Sequence, residues 1–215
     1  LLKRHVDDIV VVRGYRADSI DIPGIRTVDN PDFADTNMVH SLLCARNDLE
    51  GDVLICYSDI LYEERVLQAA MQSAADLGVV YDTDFQEYWQ ARLGDEADED
   101  NESFMVRSGL VTALGKPHPA AEEMDGRYVG LIRLSPQGTE QLKETYDTLH
   151  AELGSSSEPW KYSTSFRKAC MTDMVQAMID TGIPVQAIPI ERGWLEFDTV
   201  QDYDIYNGWM ADGSM

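Results

Sequence analysis

Basic residues are few: 17 Lys and Arg stand against 39 Asp and Glu in 215 residues, a formal charge of −22. Such a surface repels polyanions, which excludes nucleic-acid binding through phosphate neutralisation. It also repels a nucleoside triphosphate unless a divalent cation or a local basic cluster intervenes. Cysteines are few and scattered. Cys44, Cys56 and Cys170 lie far apart in apolar surroundings without CxxC or Cys/His spacing, so neither a disulfide framework nor a zinc site is indicated, and a reducing cytoplasm is the expected compartment. Long hydrophobic runs are absent too. The longest, Ile9 to Val12 and Val53 to Tyr57, fall far short of the ~20 residues that cross a bilayer, so no membrane partner is expected.

What is present is alternation. With 44% hydrophobic residues the chain can build one sizeable core, and a single domain over 1–215 is expected. Apolar runs of strand length at 8–12, 25–28, 52–57, 78–81, 104–114, 127–134 and 184–190 alternate with segments of helical period at 37–49, 62–77, 84–92, 136–152, 166–181 and 200–210. That pattern predicts an α/β fold with a mostly parallel central sheet and helices on both faces. In the 62–77 segment, Val66, Leu67, Ala70, Met71 and Ala74 form a stripe that should pack on the sheet. Ser135-Pro136 marks a helix start, Gly182 a helix end, and Thr199 with Asp202 resembles a capping box. The acidic run 94–103 and the stretch 154–159 read as solvated loops.

Three groups of residues could carry chemistry. Ligands of open α/β sheets collect beyond the carboxyl ends of strands, and Asp59 ends the apolar run of "DVLICYSDILY"; from position alone it is a helix cap or a ligand. In "GWLEFDTVQDYDIY", strand alternation sends Glu196 and Asp198 to one side and Leu195 and Phe197 to the other. Carboxylates that close repel unless one is protonated or a cation sits between them. With Asp59 they would make an oxygen-rich site suited to Mg²⁺. In "NPDFADTNMVHSLLCA", Asn37 and Ser41 stand one helical turn apart, able to read a base edge or a ribose, unless Thr36 or Asn37 merely caps the helix.

Taken in order, "NP…TNMVHSL", "GDVLICYSDILY", "VVYDTDFQEYWQARLGDEADEDNESF", "GRYVGLIRLSPQG" and "TDMVQAMIDTGIPVQAIPIERGWLEFDTVQDYDIY" resemble a family. It is that of the phosphocholine and 2-aminoethylphosphonate cytidylyltransferases, within the sugar-phosphate nucleotidyltransferase group. The resemblance implies a Rossmann-like nucleotidyltransferase fold. It further implies Mg²⁺ and a nucleoside triphosphate, CTP or another, as partners, CTP being favoured, with a phospho- or phosphono-amino alcohol as acceptor whose oxygen attacks the α-phosphorus while pyrophosphate leaves. On this resemblance Asp59 and Asp198 match two metal-binding, catalytic aspartates, and Asn37 and Ser41 fall on the nucleotide side. Glu196, Tyr81, Asp82 and Trp194 fall near the acceptor, Trp194 being either an aromatic wall for a cationic head group or core. A sugar-1-phosphate nucleotidyltransferase and a non-catalytic nucleotide-binding protein are the alternatives.

One feature of the family has no counterpart in the chain. Members open with a strand and a glycine-rich loop, roughly "LAAGxGxR…K", that cradles the triphosphate, whereas residues 1–30 hold only the separate Gly14 and Gly24. Leu1 to His5 read as the tail of a helix, so a preceding segment is expected, and a chain without it is expected to turn over little or no CTP. A sheet without its first strand would leave an open edge, which favours a homodimer.

Overall fold

A computed structural model describes residues 1–212. Among these residues no helix is long and apolar enough to cross a membrane. The chain divides into two compact units, each made of two stretches: Leu1–Val53 with Ser135–Ile183, and Leu54–Leu134 with Pro184–Met215.

The first unit holds β1 (Val10–Arg13) and β2 (Arg26–Asp29), which pair in parallel. With them are the helices α1 (Met38–Cys44) and α4 (Pro136–Leu153) and, after a short 3₁₀ turn at Phe166–Lys168, α5 (Met171–Asp180). Two of the expected punctuation marks operate here. Ser135 caps α4 by accepting from the Gly138 N–H at 3.1 Å, with Pro136 at the first helical position, and Gly182 takes a φ of +88° just past α5. The helix expected at 166–181 is broken, because the Asp173 carboxylate accepts from the Cys170 N–H and starts a new helix there. The helix expected at 37–49 likewise ends early, at Cys44, and a 3₁₀ turn covers 46–48.

The second unit is built on a six-stranded sheet. Its strands are β3 (Val53–Cys56), β5 (Leu77–Asp82), β6 (Glu102–Arg107), β7 (Leu110–Pro117), β8 (Arg127–Leu134) and β9 (Gln186–Ile190), in the spatial order β3-β8-β5-β9-β7-β6. β5 and β9 are parallel, whereas β5–β8, β6–β7 and β7–β9 are antiparallel. The α/β class is as expected, and the mostly parallel sheet is corrected to a mixed one. Part of the reason lies in the stretch 104–114, expected as one strand. Ser108 and Gly109 both take positive φ, the condition for a tight two-residue hairpin turn, and the chain folds back so that Arg107 pairs with Leu110.

The helices α2 (Glu64–Gln72), α3 (Gln86–Leu93) and α6 (Val200–Asp212) complete this unit. α2 packs on β5, β8 and β9 through Val66, Leu67 and Ala70. It stops at Gln72, so Met71 and Ala74 of the expected stripe are exposed. The core gathers Val66, Val80, Tyr88, Trp89, Leu131, Ile188, Trp194 and Tyr206.

Within β8, Gly130 sits at φ +82°, opposite the point where the β5–β8 register shifts between Val79 and Tyr81. A Cβ at this position would lie 2.9 Å from Tyr57 Cγ. Gly130→Ala is therefore expected to destabilise the fold by about 1–3 kcal/mol from backbone strain alone, more if Tyr57 cannot move, as read by urea denaturation.

Candidate active site

Two short strands, β4 (Ile60–Tyr62) and β10 (Trp194–Glu196), build the site. They pair antiparallel with Ile60 opposite Glu196 and Tyr62 opposite Trp194. One step beyond, the Phe197 N–H donates to the Asp59 carbonyl at 2.8 Å. Two aspartates more than a hundred residues apart, Asp59 and Asp198, thus flank one end of one ladder. The cap of α2 is Glu63, which removes the reading of Asp59 as a helix cap.

Asp59 Oδ1 is shut off from solvent and has no hydrogen-bond partner. Burial pushes the Asp59 carboxyl above the usual aspartate range, and the nearby Asp198 charge adds to the rise. An occluded carboxylate oxygen of this kind is what a bound cation would satisfy. Among the described residues no group of three or more His, Cys, Asp or Glu side chains is arranged to hold a metal ion. A cation here would have only the aspartate pair to hold it, since the Glu196 carboxylate is engaged by Arg92.

The cation between Glu196 and Asp198 is Arg92, on α3. Its guanidinium donates to Glu196 Oε2 at 2.8 Å, to Asp198 Oδ2 at 2.5 Å and to both oxygens of Asp202 at 2.8 and 3.2 Å. The side chains of Arg92 and Asp202 are 2% and 3% exposed, Glu196 20% and Asp198 51%. Burial opposes the charge on Arg92, but its hydrogen bonds to Asp202 and Asp198 outweigh it and raise its pKa. The same guanidinium overcomes the burial of Asp202 and holds its carboxyl down at about 2. For Glu196 burial dominates and raises the pKa.

Asp202 is also half of the expected capping box. Its Oδ2 accepts from the Thr199 N–H at 2.8 Å and the Asp198 N–H at 2.9 Å, while the Asp202 N–H donates back to Thr199 Oγ1 at 3.2 Å. Beside these residues lies a cleft of about 370 Å³ lined by Arg92, Glu96, Glu99, Asp100, Asp198 and Asp202, among others. A cleft with this lining favours a cationic group over an anionic one.

The acceptor-side expectations divide. Glu196 stands at the site, but its carboxylate is engaged by Arg92. Tyr81 stacks on Phe104 with ring centroids 4.6 Å apart. Asp82 is fully buried and accepts from the Asp84 N–H, the Arg192 N–H and Trp194 Nε1 at 2.8–2.9 Å. Trp194 is 4% exposed and stacks against Trp89. Asp82 and Trp194 therefore brace the core beneath the site, and the structure favours the core reading of Trp194 over the aromatic wall. Trp194→Phe, which orphans one acceptor oxygen of buried Asp82, is expected to cost about 1–3 kcal/mol of stability, seen by denaturant titration, and to leave the KM for acceptor unchanged.

Asn37 and Ser41 lie in the first unit. Asn37 caps α1, its Oδ1 accepting from the Met38 N–H at 2.9 Å, and its amide donates to Lys168 O and Cys170 Sγ. Ser41 Oγ accepts from Asn30 at 3.0 Å. The helix-cap alternative for Asn37 is the one realised. The reading of the residues missed Arg92, whose signal is faint but real: it is the only Lys or Arg between Arg65 and Arg107, a stretch rich in acids.

No family model matches the chain. A curated relative, the CTP:phosphoglutamine cytidylyltransferase of Campylobacter jejuni, is 26% identical over 213 residues, covering 93% of this chain and 81% of the relative. Among solved structures, the CTP:phosphocholine cytidylyltransferase of Streptococcus pneumoniae superposes with a TM-score of 0.67 at 19% identity, over 97% of this chain and 81% of that one. The inositol-1-phosphate CTP transferase of T. maritima gives 0.61 at 16% identity, over 93% and 75%. In fold the chain resembles these nucleotidyltransferases, and in sequence it is similar to a cytidylyltransferase along most of its length.

Proposed function

We propose that the protein transfers CMP from CTP to a small phosphorylated or phosphonate amino compound, releasing pyrophosphate, with Mg²⁺ held by Asp59 and Asp198. The observation that carries this reading is the β4–β10 ladder, which brings two sequence-distant carboxylates together and leaves one occluded oxygen of Asp59 without a partner. The relative named for phosphoglutamine supports CTP as donor and a phosphorylated acceptor. The acidic cleft beside Asp198 supports an acceptor bearing a positive charge.

Transfer of this type asks the protein chiefly for positioning and charge neutralisation. The Mg²⁺ would supply the second, offsetting the negative charge of the triphosphate as it builds on the leaving pyrophosphate. The chain supplies the first. Asp59 is fixed by the backbone bond from Phe197, and Asp198 by the capping box at the start of α6. The acceptor oxygen forms a new bond to the α-phosphorus as the bond to the pyrophosphate oxygen breaks.

Pyrophosphate release by the complete gene product, measured across phosphocholine, 2-aminoethylphosphonate, phosphoglutamine and hexose-1-phosphates, tests the proposal. Turnover with one of the nitrogen-bearing acceptors is expected. Turnover confined to hexose-1-phosphates would move the protein to the sugar-nucleotide class, and CTP binding without release from any acceptor would make it a binding protein.

A further inference from the structure

We propose that Arg92 is a positioning residue for Asp198: its guanidinium grips Oδ2 and thereby presents Oδ1 to the divalent cation. The inference rests on the reading of Asp59 and Asp198 as cation ligands. Asp198 is the most exposed of the three acids around Arg92 and, like Glu196, is held by it through one oxygen, whereas Asp202 is gripped through both. Arg92 is thus anchored from two other sides, with its side chain buried and set 4.7 Å from the centre of the Trp89 ring. It cannot follow Asp198 outward. Asp198 therefore takes its place from Arg92. The backbone repeats the constraint, since the Asp202 carboxylate that anchors Arg92 also accepts from the Asp198 and Thr199 N–H groups. One buried fork fixes both the side chain and the turn that carries it. Partners standing behind a metal ligand commonly set its orientation in this way, and losing one costs about 10–100-fold in metal affinity or activity.

Arg92→Lys separates geometry from charge, because lysine keeps the positive charge and cannot span three carboxylates in one plane. Mn²⁺ binding to the folded protein, followed by paramagnetic resonance of the free ion, reads the effect without turnover. Arg92→Lys is expected to weaken Mn²⁺ binding by about 10–100-fold, Asp198→Asn to weaken it at least as much, and the double variant to bind no more weakly than Asp198→Asn. Wild-type affinity in Arg92→Lys beside a loss in Asp198→Asn overturns the positioning role and leaves the site reading standing, and so does a further loss in the double variant. Wild-type affinity in Asp198→Asn overturns the site reading and the inference with it. Should Arg92→Lys not fold, the wild-type protein provides a second readout. Its Arg92 Nη–H resonances are expected to shift as Mg²⁺ binds, and resonances unmoved at saturation overturn the proposal.

Discussion

Asp59→Ala is expected to leave the protein folded, at a stability equal to or above that of the wild type, while lowering pyrophosphate release by about 10²–10³-fold. The two effects have one cause. Asp59 carries a carboxylate whose Oδ1 is occluded and unpaired, and burial raises its pKa. An unpaired buried acceptor weakens a fold, typically by about 1–3 kcal/mol, so deleting it removes a cost. If a cation is the missing partner, deleting it also removes a ligand from the site. Loss of rate together with preserved or raised stability marks a residue kept for function. Calorimetric melting beside a pyrophosphate assay reads both quantities, and a destabilised Asp59→Ala with an unchanged rate would make Asp59 a structural residue.

Arg92→Met is expected to cost about 3–5 kcal/mol of stability, because it leaves buried Asp202 without its cation and takes a charged hydrogen bond from Glu196. That is a large share of the ~5–15 kcal/mol that holds a typical protein together. Trp89, Trp194 and Trp209 all lie in the second unit, so tryptophan fluorescence in urea reports mainly on the unit that carries Arg92. The same cluster sets the acid response. Asp202 is held down at about 2 in the fold, below the ~3.9 of an unfolded aspartate. Its contribution is therefore present above about pH 4 and lost as pH falls toward 2. Arg92→Met should shrink that component to what the Thr199 and Asp198 N–H groups supply. Asp59 and Glu196 act in the opposite sense: with pKa values raised by burial, they weaken the fold when ionised, and their protonation on mild acidification relieves it.

Much of this protein was legible in local pattern. The β8 boundaries, the cap at Ser135-Pro136, Gly182 beyond α5 and the Thr199–Asp202 box each depend on residues within four positions of one another, and such signals survive without knowledge of the fold. The nearness of Glu196 and Asp198 was legible only in part: β10 ends at Glu196, and Asp198 is held in the following turn by Arg92 and the Asp202 carboxylate rather than by strand alternation. Other features were hidden for physical reasons. The β6–β7 hairpin turns on positive φ at Ser108 as well as at Gly109, and serine gives little warning of that. The antiparallel entry of β8 beside β5 is a long-range choice. Arg92 was hard to read as a site residue because its three partners lie 104 to 110 residues away along the chain, leaving only its isolation among acids as a signal. Trp194 was ambiguous because an aromatic residue beside a site serves equally as wall or core, and only the bond from Nε1 to buried Asp82 shows which.

The most direct test of the account is phosphorus NMR of the complete gene product with CTP, Mg²⁺ and a phosphorylated amino acceptor. The CTP and acceptor monoester resonances are expected to fall together as those of pyrophosphate and a CDP-linked diester rise in equal amounts. CTP resonances unchanged with every acceptor, or CTP cleaved while the acceptor resonance stays intact, would contradict it.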